Sequence, residues 1–164
     1  MDLNYKIFTS ISQTWWTSGL VPTAFGWLTA SVNRSKIDIY NKSKKPKFHP
    51  PAYIFGPVWT ALYFAMGYAS HLAYRADPLL ITNAGRKGAA LYLAQMALNV
   101  SWMPLFWCRK PKLALVNIGA LTGVVGWLIK TWWPIAPTAS KLLVPYLAWL
   151  GYAGYLNLGH CLLN

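Results

Sequence analysis

The 164-residue chain reads as an all-α integral membrane protein, a single domain built as a bundle of five transmembrane helices. Three observations carry that reading. Hydrophobic residues make up 55% of the chain and charged residues 11%, against roughly 25% charged in a typical soluble domain. The aromatic load is high, with Trp 10, Tyr 10 and Phe 6, which suits an apolar interior flanked by membrane interfaces. Asp, Glu, Lys and Arg are also absent from five long stretches: 7–32, 50–74, 88–108, 113–129 and 142–164. A helix needs about 20 residues to cross the hydrocarbon, within a range of about 17–25. Barrel strands would alternate in segments of about 10 residues, and these runs do not.

The first span, 7–32, carries Thr9, Ser10, Ser12, Gln13, Thr14, Thr17 and Ser18, with Pro22 near its middle. A cleaved signal peptide is the rival reading. The segment 1–6 has one acid and one base, and no convincing A-x-A site follows, so a kinked membrane helix facing the bundle interior is expected. Spans two (50–74) and three (88–108) meet the length requirement directly. The fourth stretch is the shortest, but Lys112 and Lys130 can snorkel and Trp132 and Trp133 suit an interface, extending the span to 113–133. Trp15, Trp16 and Trp107 are expected to anchor at interfaces in the same way. The fifth span covers 142–163.

Net charge is +12, from Lys+Arg 15 and Asp+Glu 3. Such an excess can mark nucleic-acid binding, but the basic residues sit in short clusters between the uncharged runs, where they would line membrane interfaces. No nucleic-acid partner is expected; membrane lipids are. The first connector, 33–49, holds Arg34, Lys36, Lys42, Lys44, Lys45 and Lys47, and the third adds Arg109, Lys110 and Lys112. These nine outnumber the six on the other face, which places connectors one and three and the end of span five on the cytosolic side. Short connectors make sequential helices neighbours in an up-down bundle. Gly119-x-x-x-Gly123 and Ala61-x-x-x-Ala65-x-x-x-Ala69 are small-residue stripes suited to intramolecular packing, with a homodimer through one of them as the alternative.

Residues for catalysis are sparse. Asp2, Asp38 and Asp77 fall outside the spans, and His49, His71 and His160 show no metal-site spacing. Cys108 and Cys161 form neither a CxxC pair nor a nucleophile motif. A hydrogen-bonded helix histidine is favoured over haem ligation by His71, His160 or Cys161. No catalytic residue, metal site or required cofactor is expected, and no enzyme activity. The polar and aromatic groups inside the spans are more informative. Gln95, Asn99 and Trp102 share one helical face, as do Trp149, Ala153 and Leu156 beside Asn157, and Trp59 with Tyr63. Amides in lipid-embedded helices need partners, so Gln95, Asn99 and Asn157 should point inward. Aromatic walls with a few amides make either a Trp-rich core or a pocket for a flat, apolar ligand.

Three runs in order resemble one family. The first is Lys45-Pro46-Lys47-Phe48-His49-Pro50-Pro51, continuing with Phe55-Gly56-Pro57-Val58-Trp59-Thr60-Ala61-Leu62-Tyr63 and Met66-Gly67-Tyr68-Ala69-Ser70. The second is Leu91-Tyr92-x-x-Gln95-x-Ala97-Leu98-Asn99-x-x-Trp102-x-Pro104-Leu105-Phe106, and the third Pro145-Tyr146-Leu147-Ala148-Trp149 with Leu156-Asn157. Over roughly residues 39–157 the chain resembles the translocator protein family, the peripheral benzodiazepine receptors and bacterial tryptophan-rich sensory proteins. The resemblance implies a five-helix membrane bundle that binds tetrapyrroles such as protoporphyrin IX or haem, and sterols or other lipophilic ligands, in a pocket under the first connector. Carried over by motif, the pocket lining is Phe55, Gly56, Trp59, Asn99, Trp102, Trp149, Ala153 and Leu156. Charge, rather than the resemblance, adds the expectation that Lys and Arg of the first connector pair with propionates at the rim. It also implies a multi-pass protein of the mitochondrial outer membrane if the source is eukaryotic. A protein that assists porphyrin breakdown, or a membrane scaffold, is the alternative.

The chain departs from the family pattern at several positions. Two connector tryptophans are Ile39 and Phe48, the acidic position of helix four is Asn117, and a nearby tryptophan of animal members is Leu113. After Leu156-Asn157 the chain reads Leu158-Gly159-His160-Cys161-Leu162-Leu163-Asn164, without the tyrosine and arginine of the proposed sterol-recognition pattern, which weakens the expectation of sterol handling.

Overall fold

The computed structural model describes residues 3–32, 43–107 and 110–164, all helix or connecting turn. Asp2, Arg34, Lys36, Asp38, Ile39, Lys42, Cys108, Arg109 and the side chain of Trp107 lie outside the described residues. Six helices are described: α1 (Leu3–Ser12), α2 (Trp15–Val32), α3 (Ala52–Ala76), α4 (Asn83–Trp107), α5 (Pro111–Trp132) and α6 (Pro137–Leu163).

The expected single first span is therefore two helices, and the break comes at Gln13–Thr14 rather than at Pro22. Thr14 caps the new start: its Oγ accepts from the Thr17 amide at 3.4 Å, the third position of α2. Pro22 stays inside α2. Lacking an N–H, it leaves the Ser18 carbonyl without its usual helical partner, and that carbonyl lies where α2 touches Gly67 of α3. The two halves also face differently. α1 turns Phe8 and Ser12 into the core, while Trp27, Leu28 and Val32 of α2 face outward.

α1 closes one end of the bundle. Phe8 packs edge-on to Tyr92 at 5.7 Å and beside Trp132 at 6.4 Å, and Tyr92 stacks on Trp132 at 5.9 Å. Trp132, expected at an interface, is instead 0% exposed and lies against Gly88, because α1 covers the end of α5 that solvent or headgroups would otherwise reach. Trp15, Trp16 and Trp133 remain about half exposed. His71 Nδ1 donates to the Ser12 carbonyl at 2.9 Å, and Ser12 Oγ pairs with Ser70 Oγ at 3.1 Å, tying α1 to α3.

Around the bundle the order is α2, α3, α6, α5, α4, returning to α2. Sequential neighbours are the rule for α2–α3, α4–α5 and α5–α6, but α3 and α4 meet only slightly. The turn 77–82 is long enough to step across the bundle, and α1 fills the space between those two helices. Glycines set the α2–α3 contact. Gly19 and Gly26 lie under the rings of Phe64 and Tyr63, and Gly67 lies against the Ser18–Gly19 backbone. Close packing of α2 on α3 thus falls to these three glycines. Gly119 and Gly123 face outward with open space around them, and of the alanine stripe only Ala69 is buried.

α4 and α5 are long and apolar enough to cross a membrane. α3 and α6 are as long, with 25 and 27 residues, about 37–40 Å at ~1.5 Å per residue; tyrosines, prolines and histidines lower their mean hydropathy. The outer surface is apolar, with Val116 70% and Leu28 60% exposed, a distribution suited to lipid rather than water. Lys87, inside the first turns of α4, lays its ammonium 4.3 Å from the centre of the Trp127 ring, keeping the charge at the rim.

Candidate functional site

Between α3, α4 and α6, at the end opposite α1, lies a cavity of about 370 Å³, within the range of small-molecule sites. The floor is aromatic. Trp59 of α3 lies 5.5 Å from Tyr63 and 6.3 Å from Tyr146, ring centre to ring centre. Trp102 and Phe106 of α4, one turn apart, stack at 5.4 Å along a wall. Pro104 lies between them and lacks an N–H, so it leaves the Val100 carbonyl without its helical donor. Ala153 and Leu156 of α6 supply the facing wall, and Gly56 leaves room where a side chain would intrude.

Beneath the floor runs a chain of buried polar groups. Tyr63 Oη donates to Asn99 Oδ1 at 2.5 Å, Asn99 Nδ2 donates to Tyr146 Oη at 2.6 Å, and Tyr146 Oη donates to Gln95 Oε1 at 3.1 Å. Gln95 Nε2 approaches Met66 Sδ at 3.7 Å. Three helices are joined through groups that lipid could not satisfy. A second link runs along the cavity wall: Trp102 Nε1 donates to Asn157 Oδ1 at 3.2 Å, and Asn157 Nδ2 donates to the Pro111 carbonyl at 2.9 Å.

The mouth is roofed by the described part of the first connector. Tyr152 and Tyr155 of α6 donate to the carbonyls of Phe48 and Lys47, each at 2.7 Å. Phe48 has φ 61°, in the left-handed region, which turns the chain before His49-Pro50-Pro51, and its side chain is 87% exposed. Lys44, Lys45 and Pro46 line the cavity from this roof, and His160 lines it from α6. The rim is therefore basic and the interior apolar.

Of the eight residues expected in the pocket, Phe55, Gly56, Trp59, Trp102, Ala153 and Leu156 line this cavity. Asn99 and Trp149 do not. Asn99 is one turn deeper, with its amide taken by Tyr63 and Tyr146. Trp149 lies behind the wall, edge-on to Phe55 at 6.0 Å and beside Tyr152 at 5.4 Å. Lining residues not singled out include Tyr53, Met103, Phe106, His160, Ala30 and Pro46. Phe106 and His160 follow Trp102 and Leu156 by one helical turn, a spacing that would have found them; Ala30 and Pro46 carry no such signal. His71 lies at the other end of the bundle. Among the described residues no group of three His, Cys, Asp or Glu could hold a metal ion.

The TspO/MBR family model matches residues 18–163. A translocator protein homolog of Schizosaccharomyces pombe is 67% identical over the whole of both chains. The human translocator protein is 39% identical over 72% of this chain and 70% of its own length. A tryptophan-rich protein TspO of Chlorobaculum tepidum is 35% identical over 72% of this chain and 74% of its own. The match takes in every helix except α1, including all three that wall the cavity, and on that extent the chain belongs to the TspO/MBR family.

Proposed function

We propose that this chain is a multi-pass membrane protein that binds and passes on flat, lipophilic ligands, with tetrapyrroles such as protoporphyrin IX or haem as the first candidates. α2 to α6 are its five spans, and the roofed end with the end of α6 faces the cytosol; in a eukaryotic cell the mitochondrial outer membrane is its proposed place. The observation that carries the reading is the cavity itself, with Trp59, Trp102 and Phe106 as aromatic walls beneath a rim of Lys44, Lys45 and His160. Aromatic faces stack on a macrocycle, and cations at one edge pair with its carboxylates. A sterol would use the same walls without the rim.

The test is a titration of protoporphyrin IX into lipid-reconstituted protein, first in the dark and then under light. Tryptophan quenching reads binding and absorbance reads product. Saturable binding that Trp59→Ala weakens more than Trp149→Ala supports the reading, since only Trp59 lines the cavity. Charge reversal at Lys44 and Lys45 should weaken it further. Light- and protein-dependent product would move the chain to the porphyrin-breakdown reading. Absence of saturable binding would remove the tetrapyrrole claim.

A further inference from the structure

Among the described residues, α2 and α4 touch less than any other neighbours in the ring. α2 is fixed instead to α3, by the glycine contacts and by Trp27 Nε1, which donates to Thr60 Oγ at 2.9 Å. The α2–α4 seam leaves a groove of about 420 Å³. Val21, Pro22 and Phe25 form one wall; α4 from Leu93 to Pro104 forms the other, about 17 Å of helix at ~1.5 Å per residue. The edges reach the surface: Phe25 is 50% exposed, and Ala97 and Pro104 are exposed as well. No side chain offers a polar group to this space. Ser101 Oγ accepts from Asn117 Nδ2 and donates to the Leu98 carbonyl, both at 2.9 Å, and the Tyr92 hydroxyl is buried. An apolar molecule can lie in the groove, but nothing anchors it there.

Groove and cavity are divided by a single turn of α4. Ser101 and Pro104 line the groove, whereas Trp102 and Met103, between them in sequence, line the cavity. That turn is short of one helical hydrogen bond, because Pro104 has no N–H for the Val100 carbonyl. Met103 is an unbranched, flexible side chain. Pro22 lacks the same kind of bond on the opposite wall.

We infer that the α2–α4 groove is the vestibule through which ligand passes from the bilayer into the cavity, with the turn 100–104 and Met103 as its gate. The inference rests on the tetrapyrrole reading and adds the route: a flat apolar molecule dissolved in lipid reaches the cavity sideways, between two helices. The other way in is held shut, since Tyr152, Tyr155 and Asn164 all bond to the backbone of the roof. The end of the groove at Pro104 is level with Trp102 and Met103. A macrocycle crossing there keeps its carboxylates at the height of Lys44 and Lys45 on the cavity rim, so no charge has to enter the hydrocarbon.

The experiment follows protoporphyrin IX binding to the lipid-reconstituted full chain in time, by tryptophan quenching. Mixing with porphyrin starts association, and an excess of empty vesicles draws it off again; partition into protein-free vesicles gives the rate of transfer itself. Ala97→Phe, which adds a ring to the groove from α4, should slow association and dissociation alike by about tenfold, the effect of a modest steric barrier. Their ratio, the Kd, should stay unchanged, because an obstacle on the path raises the barrier equally in both directions. Val21→Phe obstructs the groove from α2 and should do the same, so the outcome does not hang on the folding of one variant. Pro104→Ala restores the missing N–H and should slow both rates by about threefold. The roof variant Tyr152→Phe/Tyr155→Phe should not accelerate association. Wild-type rates in both groove variants, with faster association in the roof variant, would put the entrance in the roof and overturn the inference. Weaker affinity at an unchanged association rate in the groove variants overturns it too, since the groove is then part of the binding site. So do wild-type rates that fall as protein per vesicle is raised, the sign of a second copy covering the groove. In these cases the tetrapyrrole reading stands. If the wild type shows no saturable quenching, that reading falls, and this inference with it.

Discussion

The Asn99 side-chain nitrogen lies 2.6 Å from the Tyr146 hydroxyl, and this bond joins α4 to α6 at the centre of the bundle. Tyr146 is 0% and Asn99 5% exposed, so neither can replace the other with water. Tyr146→Phe would leave Asn99 Nδ2 without its acceptor and Gln95 Oε1 without its donor. The expected cost is about 1–3 kcal/mol, that of stranding a buried polar group. Thermal unfolding in detergent should show a lowered midpoint for Tyr146→Phe and a larger drop for Asn99→Leu, which strands the Tyr63 hydroxyl, takes from Tyr146 the N–H it accepts and replaces a polar group with a branched apolar one. A Tyr146→Phe midpoint equal to the wild type would mean that the chain of bonds adds nothing to stability.

Gly67 sets the distance between α2 and α3. A Cβ there would overlap the Ser18 carbonyl, a backbone atom that has no rotamer to change. Gly67→Ala should therefore push the helices apart at a cost of about 1–3 kcal/mol, typical of overpacking. Gly119→Ala provides the contrast: its Cβ would meet nothing, and alanine favours helix over glycine by up to ~1 kcal/mol. The two alanine variants should move the unfolding midpoint in opposite directions.

How far the residues announced this arrangement depends on the kind of information involved. Helix positions were legible because charge is costly in apolar surroundings, so the four later uncharged runs each mark one helix, while the first is divided between α1 and α2; Arg86, Lys87 and Lys112 fall within the first two turns of their helices. The break in the first span was hidden because Pro22 is the stronger local signal, yet Pro22 stays inside α2 and the helix divides at Gln13–Thr14 instead. The burial of Trp132 depends on Phe8, more than a hundred residues earlier, and no periodicity within α5 reveals it. In the cavity, six of the eight residues carried over by motif line the walls, Phe106 and His160 lie one helical turn beyond Trp102 and Leu156 and were not singled out, and Ala30 enters by tertiary placement alone. The pairing of Asn164 with Lys44 spans 120 positions and has no counterpart in local pattern.

Asp77 governs the turn between α3 and α4 and makes a pH prediction possible. Its carboxylate accepts from the Ile81 and Thr82 amides, both at 2.9 Å, and from the Thr82 hydroxyl at 2.6 Å; Thr82 in turn caps α4 through the Gly85 amide at 2.9 Å. Burial alone would raise its pKa, but these bonds and the nearby Arg86 charge outweigh it and hold the carboxyl below the usual carboxylate value. A depressed folded-state pKa means that the ionised group stabilises the fold. That contribution is complete above the unfolded value of about 3.9 and is lost as pH falls below it. The chain has only three acids, so little else titrates there. Unfolding midpoints measured from pH 6 to pH 3 should fall for the wild type below about pH 4 and stay flatter for Asp77→Asn, which starts lower. Parallel curves would show that Asp77 is not the group responsible.

Tyr152 and Tyr155 hold the roof of the cavity through single bonds to backbone carbonyls. The segment they hold is held against a local preference, because a bulky residue such as Phe48 disfavours the left-handed region by about 1–2 kcal/mol. The double variant Tyr152→Phe/Tyr155→Phe retains both rings and loses only the hydroxyls. Two neutral hydrogen bonds contribute about 1–3 kcal/mol together, equivalent to roughly a 5- to 150-fold change in how often the segment opens. Trypsin reports that opening directly, because Lys47 is gripped by Tyr155 through its own carbonyl, the peptide group that must be attacked. Cleavage after Lys47 should accelerate in the double variant while the unfolding midpoint of the bundle changes little, as the bonds lie outside the core. If cleavage accelerates only in step with global unfolding, the roof is not an independent unit and access to the cavity must come from the helices themselves.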